Sequence, residues 1–486
     1  MRNQNWRELR PQVKEVWHLS LPAILTQITT IVMQYIDSAM VGALGANASA
    51  AIGLVSTSTW LLSGVTYAVS AGFSVQVAHH IGGRREQDAR NVIRHGLAAA
   101  FVVSGLLCVL GLLIGPSLPA WLGGEEDIRH DATAYFLVFA CMLPFSQLNS
   151  FSSSCLQCSG DMLTPSILNA AMCVLDVVFN AIFIPKYGVM GAGIGTACAC
   201  AVVSLAMAWR CCFCNPQLRL NRKERGKFDA EILHKALKIG TPVAVQEIAT
   251  SGAMVAQTII IAPLGAVSIA ANSFAVTAEG LCYMPGFGVG TAATTLVGRR
   301  AGAGESDIAK RYGNICTAMG AALMGVTALL MFFLCPLVFR VLTPVTAVRA
   351  LATKALRIGL LAEPLYGASI VAAGALRGVG DTLVPSLLNL GSIWVVRLGL
   401  ALLLVPRLGL CGMWISMATE LCVRGLLMLY RLKTTKYYDM FRRAPAEKCN
   451  VTRSVSKMTE IERRGGKRWD KPKKAEKSRD CGGGKF

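Results

Sequence analysis

Four polar residues in the first half of the chain could bind a proton or a small cation: Asp37, Asp176, Asn180 and Thr196. Each lies within a long apolar segment, where an ionisable side chain costs about 2.5–3.5 kcal/mol on membrane-insertion scales. The two aspartates can carry a proton, and all four side chains offer oxygen atoms that suit a hard cation such as Na⁺. The residue types therefore predict a site for H⁺ or Na⁺.

The same four residues are predicted to share a depth in the membrane. At 1.5 Å per residue, Asp37 lies about 27 Å up its helix, and Asp176 and Asn180 lie about 16 and 22 Å up theirs. The i,i+4 spacing places the latter two on one helix face. Thr196 lies about 12 Å below the outer surface on a descending helix. The alternative is a hydrogen bond between Asp37 and Asn180 that only ties two helices together.

The elements that must position these residues are membrane-spanning helices. The 486 residues are 53% hydrophobic and 16% charged, with a mean hydropathy of +0.49, which is too apolar for a soluble domain. Twelve apolar segments are near or above the roughly 20 residues that cross a bilayer. They are 19–42, 51–78, 96–115, 132–156, 165–185, 189–214, 239–262, 268–297, 313–338, 355–376, 384–405 and 410–432. We therefore predict an all-α polytopic membrane protein with twelve transmembrane helices.

The second half of the chain repeats the first at an offset of 220 residues. The run "CSGDMLTPSILN" from Cys158 matches "GVGDTLVPSLLN" from Gly378, and Pro22 falls opposite a second proline. Because six helices per unit is an even number, both units enter the membrane from the same side and form parallel repeats. We predict a first lobe over residues 19–214 and a second over 239–432. Pro22, which has no backbone N–H, is the predicted hinge of the first helix.

The charged cluster of the first lobe is not repeated in the second. At the constant offset, Gln257 and Val396 fall opposite the two aspartates. The second lobe has its own glutamates at membrane depth, and Glu247 and Glu279 are predicted to contact a cationic substrate.

Lys and Arg are concentrated before the first span and in the loops after the second, sixth and eighth spans. Because such loops stay in the cytoplasm, both termini are predicted to be cytoplasmic, in a multi-pass protein of the plasma (cytoplasmic) membrane. No cleavable signal peptide is predicted. Outside the lobes we expect a cytoplasmic N-terminal segment (1–18), a cytoplasmic inter-lobe linker (215–238) and a basic, disordered cytoplasmic tail (433–486). That tail carries much of the net charge of +20 and is expected to meet anionic lipid, not nucleic acid.

No cofactor is predicted besides the cation, and no enzymatic activity. Cys155 and Cys158 have the CxxC spacing of a redox site, but an alanine and a glycine stand opposite them in the repeat, so a packing role is expected. Glu420 and Arg424, four residues apart, are expected to form a local ion pair.

Several motifs together resemble the multidrug and toxic compound extrusion (MATE) family over about residues 14–432. They are "DSAMVGALGA" from Asp37, the paired "GD" turns followed by proline, and "YMPGFGVGTAATTLVGRRAGAGE" from Tyr283, which looks most like the DinF-type branch. The resemblance implies two six-helix lobes around a central cavity. It also implies alternating access and export of organic, often cationic compounds in exchange for H⁺ or Na⁺. We expect a monomer.

The resemblance also gives individual residues a role. The family's first-lobe cation site maps onto the four polar residues named at the start. One feature departs from the DinF-type pattern, which has asparagine before aspartate on the fifth span, whereas Asp176 precedes Asn180. The choice between H⁺ and Na⁺ therefore stays open. Tyr366 stands where another branch carries an acid on the tenth span, and it joins Glu247 and Glu279 in the predicted substrate cavity.

Two other functions compete with export. A lipid-linked precursor flippase of the same superfamily would need a cavity rich in Lys and Arg to hold pyrophosphate, and few bases beyond Arg397 lie at that depth. A membrane enzyme would need a nucleophile with its base or a metal-ligand cluster, and the sequence suggests neither.

Overall fold

The computed structural model of the chain describes residues 6–221, 224 and 228–440. The larger part of the predicted tail lies outside these residues. The described elements are helical, and those of the first half are α1 (Trp6–Gly42), α2 (Ala46–Gly82), α3 (Glu86–Ile114), α4 (Leu118–Trp121), α5 (Glu126–Cys158) and α6 (Leu163–Trp209), which continues into a π-helical turn (Arg210–Cys214).

The second half contains the same succession of long helices. They are α7 (Ala230–Ile261), α8 (Ala266–Gly302), α9 (Ser306–Leu342), α10 (Thr346–Leu360), α11 (Glu363–Gly378), α12 (Leu383–Gly391), a π-helical segment (Ser392–Leu398), α13 (Gly399–Leu408), α14 (Leu410–Thr434) and α15 (Tyr437–Met440). A short 3₁₀ turn, Ala262–Leu264, joins α7 to α8.

The described helices account for twelve spans. Nine are long and apolar enough to cross a bilayer, and α10 with α11, bent by 53° against each other, makes a tenth. One of the nine, α6, is in fact two spans. Gly188 has a positive φ (φ 57°, ψ −131°), and this break in the helix separates the fifth span from the sixth. Helix α8, at 37 residues, is the remaining span. The predicted all-α membrane fold is confirmed, although the tenth span is bent where a single helix over 355–376 was predicted.

Glycines with positive φ mark the repeat in the backbone. Gly45 pairs with Gly265 at a separation of 220 residues, but Gly188 pairs with Gly409 at a separation of 221. The second lobe therefore holds one extra residue, and the π-helical segment accommodates it, because a π-helix has a longer hydrogen-bonded turn than an α-helix.

The extra residue corrects the alignment of the two lobes. Val174 is 64% exposed and its counterpart Val395, 221 residues on, is 73% exposed. By the same step, Asp176 corresponds to Arg397. The expectation that Val396 stands opposite Asp176 was wrong, because a constant offset cannot register an insertion inside a helix.

The two lobes meet through the first two helices of each, α1 against α8 and α2 against α7. The tightest approach is at the end of the molecule where α1 begins. There Gly82 lies against the carbonyl of Arg299, and Gly302 lies against the carbonyl of His79, so close that a Cβ at either glycine would overlap the oxygen. A side chain at either position would force the lobes apart.

A polar cluster strengthens the same end. Arg300 forms ion pairs with Glu15 at 3.4 Å and with Glu305 at 3.2 Å. The hydroxyl of Tyr312 also donates to Glu15. The first turns of α1 are thus fastened to the second lobe.

Candidate functional site

The structure joins α1 to α6 through a group of two carboxylates and one amide. Asn180 Nδ2 donates to Asp37 Oδ1 at 2.8 Å and to Asp176 Oδ2 at 3.1 Å. Asp176 and Asn180 are fully buried, and Asp37 is half-buried. Because one amide holds two carboxylates together, their mutual repulsion favours binding of a proton or a monovalent cation between them.

Two buried oxygens of this group lack a hydrogen-bond partner among the described residues. They are Asp176 Oδ1 and Asn180 Oδ1. The second half of α6 passes beside them at Gly195, where a Cβ would overlap the Asn180 side chain. Buried polar atoms are rarely left unpaired. These two oxygens could therefore coordinate Na⁺. Alternatively, one carboxyl group of the pair could keep its proton and donate it to a neighbouring oxygen.

The other predicted members of the first-lobe site do not join this hydrogen-bonded group. The Thr196 hydroxyl donates to the Ala192 carbonyl of its own helix at 3.1 Å, so the structure leaves it outside the hydrogen-bonded group. Pro22 is buried within an unbroken α1, and the Thr26 hydroxyl donates to its carbonyl at 3.1 Å.

The equivalent place in the second lobe holds ion pairs. Arg397 Nη2 lies 2.6 Å from Glu420 Oε2, and Ser392 donates to Glu420 Oε1 at 2.9 Å. The predicted pair between Glu420 and Arg424 is confirmed, with Arg424 Nε 3.2 Å from the carboxylate. Arg424 also stacks on the ring of Tyr366, 5.1 Å from its centroid. Both guanidinium groups are thus held by one carboxylate.

Two further glutamates of the second lobe are buried near this cluster. Glu279 is 5% exposed and lies where α8 meets Gly359 of α10. Glu363, at the bend between α10 and α11, is fully buried, and neither of its carboxylate oxygens has a partner among the described residues. The sequence analysis gave Glu363 no role, because no sequence pattern predicts that a buried carboxylate lacks a hydrogen-bond partner.

Three polar residues lie on the helices that form the seam between the lobes. Glu247 of α7 is half-buried and lies against Gly64 of α2. Arg377 of α11 donates from Nη1 to the hydroxyl of Tyr67 on α2 at 2.5 Å. Sequence reasoning missed Arg377 and Tyr67; the only available signal was an arginine near the end of an apolar segment.

Comparison with known proteins adds a family match. The profile of the MatE family matches residues 22–182 and 242–403. The chain is similar to proteins named probable multidrug resistance protein NorM. It is 26% identical to that of Chromobacterium violaceum over 448 residues, covering 87% of this chain and 94% of that protein. It is also 26% identical to that of Thermotoga maritima over 439 residues, covering 87% and 93%.

Solved structures show the same fold. A Vibrio cholerae MATE transporter, VcmN, superposes with a TM-score of 0.83 at 18% identity, covering 88% of this chain and 99% of that one. An outward-facing multidrug resistance transporter of the MATE family superposes with a TM-score of 0.83 at 21% identity, covering 89% and 97%.

Proposed function

The chain belongs to the MATE transporter family, and from that premise we propose that it is a secondary active multidrug exporter, which exchanges organic, often cationic compounds for H⁺ or Na⁺ by alternating access. It is a multi-pass membrane transporter and not an enzyme. The observation that supports cation exchange most directly is the pair of carboxylates joined by Asn180.

The proposed mechanism uses this group as the switch. A ligand shifts a conformational equilibrium only by its differential affinity for the two states. Asp37 lies on α1, which packs on the second lobe, whereas Asp176 and Asn180 lie on α6. Movement of α1, with Pro22 as its hinge, would change the distance between the carboxylates and hence their affinity for a cation. When the exchange carries net charge inward, each charge gains about 2.3 kcal/mol per 100 mV. An exchange of one monovalent cation for another moves no net charge and is driven by the ion gradient alone.

We further propose that the closed end of the molecule faces the cytoplasm, so that the described state opens outward. The closed seam at Gly82 and Gly302 supports this, as does the likeness to an outward-facing transporter.

The protein would act as a monomer in the cytoplasmic membrane, with both termini inside and the basic tail near anionic lipid. A cysteine added to the tail should then react with permeant maleimides only; reaction with an impermeant maleimide in intact cells would reverse the orientation.

Of the residues proposed for substrate, we propose Glu247 for the direct contact. It borders the seam between the lobes, and its carboxylate has no hydrogen bond or ion pair within the described part of the chain. Glu279 is buried deeper and would act on a cation through its charge. Tyr366 is covered by Arg424 and would contribute an edge of its ring.

Flippase activity is less well supported. A pyrophosphate group needs several free basic side chains. Glu420 engages both Arg397 and Arg424, so neither offers a free charge. The DinF-type branch and the choice of ion remain predictions.

Asp37→Asn tests the proposal. In proteoliposomes with an imposed pH or Na⁺ gradient, the variant should lose gradient-driven dye export while it keeps its expression and thermal stability. Asp127→Asn, at an exposed position in the first turn of α5, is the matched control and should export normally. Normal export by Asp37→Asn would refute the coupling role, and loss of folded protein would support a purely structural hydrogen bond.

A further inference from the structure

Helix α1 is held on two sides, by the first lobe and by the second. It packs on α6 of its own lobe and on α8 of the second lobe, and much less on α2, its neighbour in sequence. Towards the first lobe, Asp37 accepts a hydrogen bond from Asn180 at 2.8 Å. Towards the second lobe, the hydroxyl of Tyr35 donates to the backbone carbonyl of Thr277 on α8 at 2.9 Å. One helix therefore makes a polar contact with each lobe.

Tyr35 and Asp37 lie on opposite faces of α1. Successive residues of an α-helix are about 100° apart, so residues i and i+2 point about 200° apart. Asp37 can thus meet α6 while Tyr35 meets α8, and the two residues are only about 3 Å apart along the helix axis. Because both belong to one continuous helix, a displacement of Asp37 also moves Tyr35.

The contact at Tyr35 lies at one end of a close packing of α1 on α8. Nearer the closed end of the molecule, Gly288 lies so close to the backbone of Ile24 that a Cβ at this glycine would overlap it. Tyr35 follows Ile24, and Thr277 precedes Gly288, by about 16 Å along each helix. The backbone contact cannot be broken without separating the helices, whereas the Tyr35 hydroxyl can exchange its acceptor for water. Tyr35 therefore provides the part of this packing that can open by itself.

The far face of α8 carries a residue proposed for substrate. Glu279 follows Thr277 by two residues, so it points away from α1. It lies instead against Gly359 of α10. A shift of α8 at Thr277 therefore also moves Glu279.

We propose that Tyr35 is a positioning residue, which links cation binding at Asp37, Asp176 and Asn180 (the cation group) to the second lobe through its hydrogen bond to Thr277. The assignment rests on the proposed cation exchange and adds the residue that connects the two lobes in it. A proton on Asp37 removes the charge that strengthens its hydrogen bond from Asn180, and Na⁺ draws the carboxylate towards the other ligands. Either event displaces α1 and hence the Tyr35 hydroxyl.

The test measures how strongly the cation changes the binding of a dye. Ethidium, which stays a cation between acidic and neutral pH, is titrated by fluorescence anisotropy against the purified full-length protein, with and without Na⁺ and at both pH values. The part of the cation effect that Asp37→Asn removes is the coupling between the two ligands. It should be at least about fivefold in the wild type and should fall below about twofold in Tyr35→Phe, because a hydrogen bond changes an equilibrium about two- to tenfold.

Cation binding itself should survive in Tyr35→Phe, which keeps the ring and removes only the hydroxyl. The shift of the unfolding temperature with Na⁺ or with pH reports that binding. This shift should match the wild type in Tyr35→Phe and be reduced in Asp37→Asn. A hydroxyl with a purely structural role would instead lower the unfolding temperature and leave the coupling intact, and that result would overturn the proposal.

Tyr67→Phe is the matched control. The Tyr67 hydroxyl also reaches across the seam, where it accepts from Arg377 at 2.5 Å, but it lies on α2, which carries none of the cation group. This variant should keep the full coupling. A loss equal to that in Tyr35→Phe would show that any hydrogen bond between the lobes has the same effect, and would overturn the specific role of Tyr35.

The outcome for Tyr35 is separable from the outcome for cation exchange. If the wild type shows coupling and Tyr35→Phe keeps it, cation exchange stands and the role of Tyr35 fails. If ethidium binding in the wild type shows no effect that Asp37→Asn removes, cation exchange at Asp37 fails and the role of Tyr35 fails with it.

Discussion

The first lobe and the second lobe place opposite chemistry at the same position. Asp176 in the first lobe corresponds to Arg397 in the second once the π-helical insertion is counted. Asp176 shares an amide with a second carboxylate, and its Oδ1 has no hydrogen-bond partner among the described residues. Arg397 is held by Glu420 at 2.6 Å. One lobe thus has two carboxylates joined by an amide at this position, while the other has a guanidinium paired with a carboxylate.

The two repeats therefore share their helices but differ in the polar residues at this position, which indicates that the lobes have different roles. A guanidinium is part of the chain and cannot be exchanged, so we expect its cluster to stabilise the second lobe. Within the described part of the chain the carboxylates of the first lobe have no basic partner, and we propose that they respond to an external ion. Loss of the second-lobe cluster should therefore affect folding first, and loss of the first-lobe cluster should affect transport first.

The largest expected effect is on stability, from Glu420→Ala. Removal of this carboxylate leaves the buried Arg424 and the partly buried Arg397 without their shared counter-charge, which costs about 3–5 kcal/mol of unfolding free energy. Thermal unfolding in detergent measures it, with export per folded molecule assayed in parallel. A normal unfolding temperature with lost coupling would contradict the stabilising role of the second lobe.

The next effect is on transport, from Asp176→Asn. Without this carboxylate the group loses the repulsion that favours a bound cation, and gradient-driven export should fall at least about tenfold, the equivalent of roughly 1.4 kcal/mol. Thermal unfolding should stay close to that of the wild type. If export persists and stability falls, the two lobes would have the reverse of the roles assigned to them.

A smaller effect is expected from Glu279→Gln. The buried glutamate acts on a cationic substrate at a distance, so its neutral analogue should lower export of cations about fivefold, the effect of roughly 1 kcal/mol, and spare neutral compounds. Efflux of a cationic and a neutral dye from the same proteoliposomes separates the two cases. Equal loss for both dyes would indicate a folding role.

The smallest expected effect is on the unfolding free energy, from a change in the inter-lobe linker, which packs on the first lobe. Arg90 donates to both carboxylate oxygens of Glu224, at 2.9 and 2.8 Å, and this lowers the pKa of Glu224. A lowered folded-state pKa stabilises the protein above the unfolded pKa of about 4.3, and the benefit disappears as pH falls through the folded value.

Glu224→Gln should therefore cost at most about 1 kcal/mol at neutral pH and less in acid, because the pair is partly exposed. Thermal unfolding between neutral and acidic pH measures this. A cost that grows towards acid would contradict the sign of the linkage.

Sequence reasoning was reliable wherever one helix decides the geometry. The i,i+4 spacing that links Asp176 to Asn180 follows from helical rise and turn, as does the pair of Glu420 and Arg424. It failed at Arg397, because one extra residue in a π-helical segment leaves no sequence marker, whereas a loop insertion usually brings glycine or proline. Arg377 was missed because its partner Tyr67 lies on the other lobe, 310 residues away in sequence.

The glycines of the seam bear on the ancestry of the chain. Gly82 meets the carbonyl of Arg299, and Gly302 meets that of His79. Gly302 is the repeat counterpart of Gly82, and Arg299 is that of His79, so one contact is made twice with the partners exchanged. Such a contact is isologous, the kind that joins two identical subunits about a two-fold axis. In a homodimer of single lobes, one glycine per subunit could have made both contacts, so this seam does not depend on the linker that now joins the lobes.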